Sequence, residues 1–575
     1  MKKLFFLSIA ILSLGLFSCE KMLNYAPDGA ILAEDALKTP DDAQRLLNSC
    51  YDVMANVFDG SYQNLAELLS NNLADPNGLD FQSVYNKETN FFTPTTNGVY
   101  SDFYYAIYRC NSLLENFDLI EGLSESDKNR MEAEARFIRA FCHWHVAKLW
   151  AQPYGYTPNN SHLGIVIRDK ASNLPLPRNT VAEVYTFIQS ELEYCASALP
   201  LSNGNYATAD AAKGTLAMLH FQMKNYAQAI AYCDEVIETN KFQSLSIDRF
   251  PVECTYTMDL YCDTTTGWGG SYFQLRDANG IVAEFGQQMT DSMRVEVTVD
   301  LVSGVQYELH WINNGSTNSE NVSLDVLNTE GSSIFELTNQ TATTGDVVVS
   351  TFTAKGSNQS LVALPYSENI FGTVSFDNDQ RTDDLIGNYN AAGVLPPNLT
   401  LWYDPTYSST IELENPFYAF ISVNDADRRL SSWLDESGSR KILTRFEDKV
   451  IFNVPLIYQT ELMLIRAEAI AYAQPARLNE AINDINMIRA RAYTQNNALA
   501  SNASIDEVKA AARREYRIET IGEGKWLDYF RRLAIEGVVS NIRSAPWNCP
   551  GMALQFPNNE FTGASFVGNP EGGCN

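Results

Sequence analysis

Glu132-Ala-Glu-Ala-Arg-Phe-Ile-Arg-Ala-Phe-Cys-His-Trp-His-Val-Ala-Lys-Leu-Trp150 is the stretch on which the fold turns. Met131, Ala135, Ile138 and Cys142 fall on one helical face, and Phe137, Ala140, Phe141 and Trp144 on the adjoining one. So wide an apolar stripe suits a helix packed on two sides, not one lying at a surface. Gln152-Pro153-Tyr154-Gly155 then ends it, because proline lacks the N–H that would continue the ladder.

Helical patterning extends in both directions. Upstream, Thr39-Pro-Asp-Asp-Ala-Gln-Arg opens a helix running past Met54, with Asp41 as its expected cap. Leu65 to Leu73 and Phe103 to Glu115 read as two more, the former ending at the turn Asp75-Pro-Asn-Gly78. Downstream, a Pro-fixed connector at Leu174 to Pro177 precedes a helix over Val181 to Leu199. Ala212, Leu216 and Leu219, followed by Tyr226, Ala229, Cys233 and Val236, have the spacing of a tetratricopeptide-like hairpin; a generic helical hairpin is the alternative. Val454 to Ala473 and Arg477 to Ala492 form a further hairpin, interrupted at Pro475. Ser504 with Glu507 has capping-box spacing ahead of a helix reaching Arg532.

The period changes near Pro251. Met293, Val295, Val297, Val299 and Leu301 alternate with polar residues, and Tyr307 to Trp311, Val322 to Val326 and Val347 to Phe352 repeat the pattern. Short alternating runs separated by turns predict an antiparallel β-sandwich or jelly roll inserted over Val252 to Leu364. The expected organisation is a leader over 1–18, a helical part over 19–251, the insert over 252–364 and a second helical part over 365–575.

Lys and Arg number 41 against 70 Asp and Glu, a net charge of −29, which argues against nucleic acid or anionic headgroups as ligands. Lys2-Lys3 and the apolar run Leu4 to Phe17 read as an export signal, too short to span a bilayer. Leu16-Phe-Ser-Cys19 has the form of a lipoprotein box, predicting acylation at Cys19. Cys50, Cys110, Cys142, Cys195 and Cys233 sit in helical patterns and read as small buried hydrophobes, whereas Cys254 with Cys262, or Cys549 with Cys574, lie in loop-like sequence and can bridge. His143 and His145, two apart on a helix, diverge and cannot share a metal; no metal or cofactor is expected.

Several separate motifs resemble the SusD/RagB family of outer-membrane nutrient-binding lipoproteins. They include Glu134-Ala-Arg-Phe-Ile-Arg-Ala140 with the Leu149-Trp150 ending, Ala211-Ala-Lys-Gly214, Ser367-Glu-Asn-Ile-Phe371, Ala467-Glu-Ala469, and Glu523-Gly-Lys-Trp-Leu-Asp528 with Arg531-Arg532. They occur in the family's order, with Glu515-Tyr-Arg517 and Lys525 departing from its usual residues. The resemblance implies an α-superhelix with tetratricopeptide-like hairpins, lipid-anchored at the cell-surface side of the outer membrane. It further implies a binding protein, not an enzyme, that passes oligosaccharides, or sometimes peptides, to a TonB-dependent SusC-like transporter. A secreted glycoside hydrolase or an adhesion lipoprotein are the alternatives from other classes. The carboxylates permit a hydrolase pair, but GxSxG and HExxH are absent, and the charged run from Arg513 to Arg532 reads as an ion network holding the last helix.

Sugar binding needs flat aromatic faces with Asp, Asn or Arg beside them. Trp144, Trp150 and Trp526 lie in helical patterns and Trp311 in a strand, so these are core expectations; Trp402, Trp433 and Trp547 lie in loop-like sequence. The family's binding loops correspond to Asp75–Tyr100 and Gly387–Trp433. The expected ligand contacts are therefore a Trp402-Tyr403 platform, a facing wall of Phe81 and Tyr85, hydroxyl contacts at Asp75, and Trp433 or Trp268 as substitute platforms.

Overall fold

Thr39, not Asp41, starts the first helix. Its hydroxyl accepts from the Asp42 N–H while the Asp42 carboxylate accepts from the Thr39 N–H, a capping box ahead of α1 (Pro40–Val57). The computed structural model describes residues 37–242, 253–354, 368–372, 412–443 and 454–574, apart from short gaps within those stretches. After α1 come α2 (Ser61–Leu69), the two-residue strand β1 (Leu73–Ala74), α3 (Pro94–Glu115) and α4 (Glu125–Trp150). The helix expected to reach Leu73 thus stops a turn earlier, and Leu73 pairs in a strand instead.

The central helix α4 packs between α3 and α5 (Val181–Ala198), as its two-sided stripe requires. α6 (Ala209–Gln222) and α7 (Tyr226–Ile237) continue the stack, with Ala229, Ile230, Cys233 and Val236 buried. Trp144 and Trp150 lie in the core, and the Trp150 indole N–H donates to the Gln555 carbonyl at 3.0 Å.

Eight strands follow: β2 (Glu253–Cys262), β3 (Ser271–Asp277), β4 (Gly280–Phe285), β5 (Met293–Val302), β6 (Gln306–Asn313), β7 (Ser319–Leu327), β8 (Ser333–Ala342) and β9 (Gly345–Thr353). They form two four-stranded antiparallel sheets, ordered β5-β2-β7-β8 and β4-β3-β6-β9. Alternation sends Met258, Leu260, Leu324, Phe273, Leu309 and Trp311 into one core shared by both sheets and distinct from the helical core. Cys254 and Cys262 stand at opposite ends of β2, about 26 Å apart at the strand rise, so they cannot bridge. Cys549 and Cys574 do. Cys50, Cys110, Cys142, Cys195 and Cys233 are free and buried, and Cys262 is buried in the sandwich core.

The chain then re-enters the helical part through β10 (Asn369–Gly372), β11 (Glu412–Leu413), α8 (Asn415–Ile421), α9 (Arg428–Trp433) and the hairpin β12 (Leu434–Ser437) to β13 (Arg440–Leu443). β14 (Pro455–Tyr458) pairs with β10, so Pro455 to Tyr458, expected to be helical, are strand. α10 (Gln459–Ala473), α11 (Leu478–Ala492), α12 (Ile505–Glu519), α13 (Trp526–Ile535) and the hairpin β15 (Asn541–Ile542) to β16 (Ala545–Pro546) complete the order. Ser504 and Glu507 make the expected capping box. The helix expected to run on to Arg532 breaks at Thr520, where Gly522 and Gly524 adopt φ of 76° and 71°, which glycine tolerates without strain.

Buried ion pairs tie these helices together. Arg429 reaches Asp427 at 2.8 Å, Glu515 at 2.7 Å and Glu519 at 2.8 Å, while Arg489 and Arg491 pair with the same two glutamates. Arg513 and Arg532 share Glu468 at 2.7 and 2.9 Å. The charged run therefore locks α12 and α13 onto α10 and α11, and deleting one partner would leave an uncompensated buried charge. The result is a mainly helical protein with separate antiparallel sheets. Among the described residues no helix is long and apolar enough to cross a membrane.

Candidate functional site

Two short strands decide where the expected binding loops meet. β1 pairs antiparallel with β11, Leu73 opposite Leu413 and Ala74 opposite Glu412, and the Glu414 N–H donates to the Asn72 carbonyl at 2.8 Å. β1 closes immediately before Asp75, and β11 lies within the region Gly387–Trp433. Loops far apart in sequence are thus held side by side by a few backbone hydrogen bonds.

Two arginines make this junction rigid. Arg543, in the turn between β15 and β16, donates to the carbonyls of Ser70 at 2.8 Å, Leu68 at 2.6 Å and Tyr85 at 2.7 Å, and reaches the Glu414 carboxylate at 3.2 Å. Its guanidinium lies 4.2 Å above the Tyr85 ring. Burial lowers its pKa, opposed by Glu414. Arg517 on α12 donates to the Asn72 side chain at 2.9 Å and to the Asn71 carbonyl at 3.2 Å, between the rings of Phe417 and Trp526. Burial brings its pKa down to about 10, with Glu67 opposing. The Trp526 indole N–H completes the clamp by donating to Asn71 at 3.0 Å.

The next turn is held from the other side. Lys87 adopts a left-handed φ of 62°, and Gly551 packs so tightly on it that a Cβ there would stand 2.0 Å from the Lys87 carbonyl oxygen. The disulfide Cys549–Cys574 closes the segment containing Gly551, and the Gln555 N–H donates to the Thr89 hydroxyl at 3.1 Å.

The expected contact residues fare differently. Asp75 is buried at the foot of its loop, and Phe81, 8% exposed, packs in the helical core at the start of the single turn Gln82–Tyr85. Tyr85 is partly buried beneath Arg543. Trp268 is 1% exposed inside the sandwich core, edge-on to Phe273 at 5.8 Å, and Trp433 is 2% exposed in the helical core. Burial corrects the sequence reading for both tryptophans: neither offers an open ring face in this structure. Trp402, Tyr403 and Cys19 lie outside the described residues. Arg543, Asn71 and Asn72 escaped the sequence reading, whereas Arg517, read as part of an ion network, instead holds Asn71 and Asn72. The Asn71-Asn72 pair ahead of Asp75 was their one visible signal.

An interior chamber of about 50 Å³ lies among α4, α10, α12 and α13, lined by Trp144, Lys148, Glu461, Lys525 and Asp528. Lys148 pairs with Asp528 at 3.1 Å and sits 3.5 Å above the Trp144 ring; Lys525 pairs with Glu461. The space admits a few waters but no sugar ring. Among the described residues no group of three or more His, Cys, Asp or Glu is arranged to hold a metal.

Comparison with known proteins places this geometry in a family. A family profile described as "SusD-like_3: Starch-binding associating with outer membrane" matches residues 26–221, and one described as "SusD family" matches residues 452–547. SusD-like protein P25 from Formosa agariphila is 26% identical over 236 residues, 38% of this chain and 43% of that protein. The chain matches less than half the length of the curated relatives. A SusD superfamily protein from Bacteroides vulgatus superposes with a TM-score of 0.63 at 13% identity, covering 93% of this chain and 99% of that one. A SusD-like carbohydrate binding protein from the same species superposes with a TM-score of 0.54 at 14% identity, over 86% and 84% of the two chains. At these identities the superpositions speak for the fold alone.

Proposed function

Since the chain belongs to the SusD/RagB family, we propose that it is a carbohydrate-binding protein of nutrient acquisition that captures neutral oligosaccharides without cleaving them. The observation that carries this reading is the β1–β11 junction, which joins on a rigid base two segments from the regions expected to carry the binding loops. Loops on a stiff scaffold are where binding residues concentrate. The profile description of starch binding supports the ligand class.

Within this proposal the captured sugar passes to a TonB-dependent, SusC-like transporter, and acylated Cys19 holds the protein at the cell-surface side of the outer membrane. The stacked helical hairpins serve as a tetratricopeptide-like superhelix, with the sandwich over 252–364 as a separate inserted domain. Trp402 and Tyr403 serve as the stacking platform, and Tyr85 contributes to the same site.

An exposed stacking aromatic contributes on the order of 1 kcal/mol or more, so Trp402→Ala should weaken binding about tenfold and leave the melting temperature nearly unchanged. Calorimetry against a panel of neutral glycans, at two ionic strengths and with product analysis alongside, tests the proposal. Affinity should barely change with salt. Released sugars would support a hydrolase instead, and full affinity in Trp402→Ala would remove the platform from that site.

A further inference from the structure

Away from the loop junction, helix α3 presents a second line of aromatic and polar groups. Tyr105 and Tyr108 are 48% and 37% exposed, and three-residue spacing puts them on one face. Ser112 and Glu115 continue that face four and seven residues beyond Tyr108. The Arg109 guanidinium covers one side of the Tyr105 ring at 4.3 Å and donates to its hydroxyl at 2.8 Å, which fixes the ring.

The line runs into a cleft. Glu115, about 10 Å along the helix axis from Tyr108, lines an opening of about 370 Å³ between the end of α3, α4 and α5. That volume lies within the range of small-ligand sites. Its floor is preorganised: Glu191 binds Arg136 at 2.8 Å and also pairs with Arg139, which donates to Asn111 at 2.8 Å. Glu132 stands at the rim, 3.4 Å from Arg136. Carboxylates from Glu115, Asp118, Glu132 and Glu191 outnumber the cations Lys128, Arg136 and Arg139. Such a lining accepts from and donates to hydroxyls while disfavouring an anionic ligand.

We propose that the α3 face from Tyr105 to Glu115 and the cleft beyond it form a second binding track for a neutral oligosaccharide. One ring stacks on Tyr108, and hydroxyls further along the chain bind Glu132 and Arg136 in the cleft. The inference rests on the carbohydrate-binding reading above. A flat exposed aromatic leading into a polar cleft is the pairing that a pyranose chain recognises, through its apolar ring faces and hydroxyl edges.

Titration calorimetry of the full-length protein with maltohexaose, cellohexaose, xylohexaose and mannohexaose tests the track. Wild-type protein should take two equivalents of the hexasaccharide it binds. Trp402→Ala with Tyr403→Ala should remove one, and Tyr108→Ala with Glu132→Gln should remove the other, at unchanged melting temperatures because Tyr108 and Glu132 are surface groups. Hexagalacturonate should bind the track at least tenfold more weakly than the neutral chain. A single equivalent, lost in the loop variant and untouched in the Tyr108→Ala, Glu132→Gln variant, would overturn the track and leave the carbohydrate-binding reading standing. A single equivalent lost only in the Tyr108→Ala, Glu132→Gln variant would support the track and move the principal site away from the loops. Wild-type protein that binds none of the four would overturn both.

Discussion

Arg543→Ala attacks the junction and, among the expected ligand contacts, touches Tyr85 alone, over whose ring the guanidinium lies. The side chain satisfies the carbonyls of Leu68, Ser70 and Tyr85 and pairs with Glu414, so its removal releases the end of α2, the turn at Tyr85 and the start of α8 together. Hydrogen bonds from a charged donor are worth about 1.5–3 kcal/mol each. They do not add, and water can enter around a partly exposed site, so the expected local loss is roughly 3 kcal/mol, not the sum. At about 1.4 kcal/mol per factor of ten, this is on the order of a hundredfold in the opening equilibrium. Native-state hydrogen exchange reads it directly. The Glu414 amide, bonded to the Asn72 carbonyl, should exchange about a hundredfold faster, while amides within α4 keep their protection. Arg543→Lys should fall between wild type and alanine, because an ammonium keeps the charge but lacks the planar fork. Unchanged protection at Glu414 in Arg543→Ala would refute the claim that this arginine holds the two loops together.

Glu67 gives a pH test. Burial raises its carboxyl to about 7, against the Gly524 N–H that donates to it at 2.9 Å, so the folded state favours the protonated form relative to an unfolded value of 4.5. Its contribution is complete below about pH 4.5 and is lost as pH rises through 7; wild-type stability measured against Glu67→Gln should therefore fall across that window, by up to about 3 kcal/mol. A flat difference between pH 4.5 and 8 would show Glu67 ionised in the fold. Cys19→Ala should shift the protein from the membrane to the soluble fraction, and retention in cells lacking the transporter would exclude lipid anchoring there. Excising about Val252 to Leu364 with a short Gly/Ser join should leave a cooperatively melting, more helical protein by circular dichroism, since the sheets bury their own apolar faces; an unfolded remainder would show that the two cores depend on each other.

The sequence alone was sufficient for the central helix, the hairpins around Ala229 and Ala481, the capping box at Ser504 and the alternating strands from Met293 onward. Each is set by neighbours within one turn of helix or by the period of a pleat, so a short window contains the whole physical cause. The charged run near Arg513 was also legible as an ion network, because arginines and glutamates at helical spacing find partners on adjacent helices. Tertiary structure decided the rest. Leu73 and Val454 to Tyr458 look helical locally, but Leu73 and the residues from Pro455 become strand because β11 and β10 supply the partners. Trp433 sits in sequence that reads as loop and Trp268 belongs to or borders the insert, yet long-range packing buries both, and no local pattern separates an aromatic covered by a distant segment from one left open. The same holds for Arg543: its four partners lie on segments distant in the chain, so its role exists only once the fold has brought those carbonyls to one guanidinium.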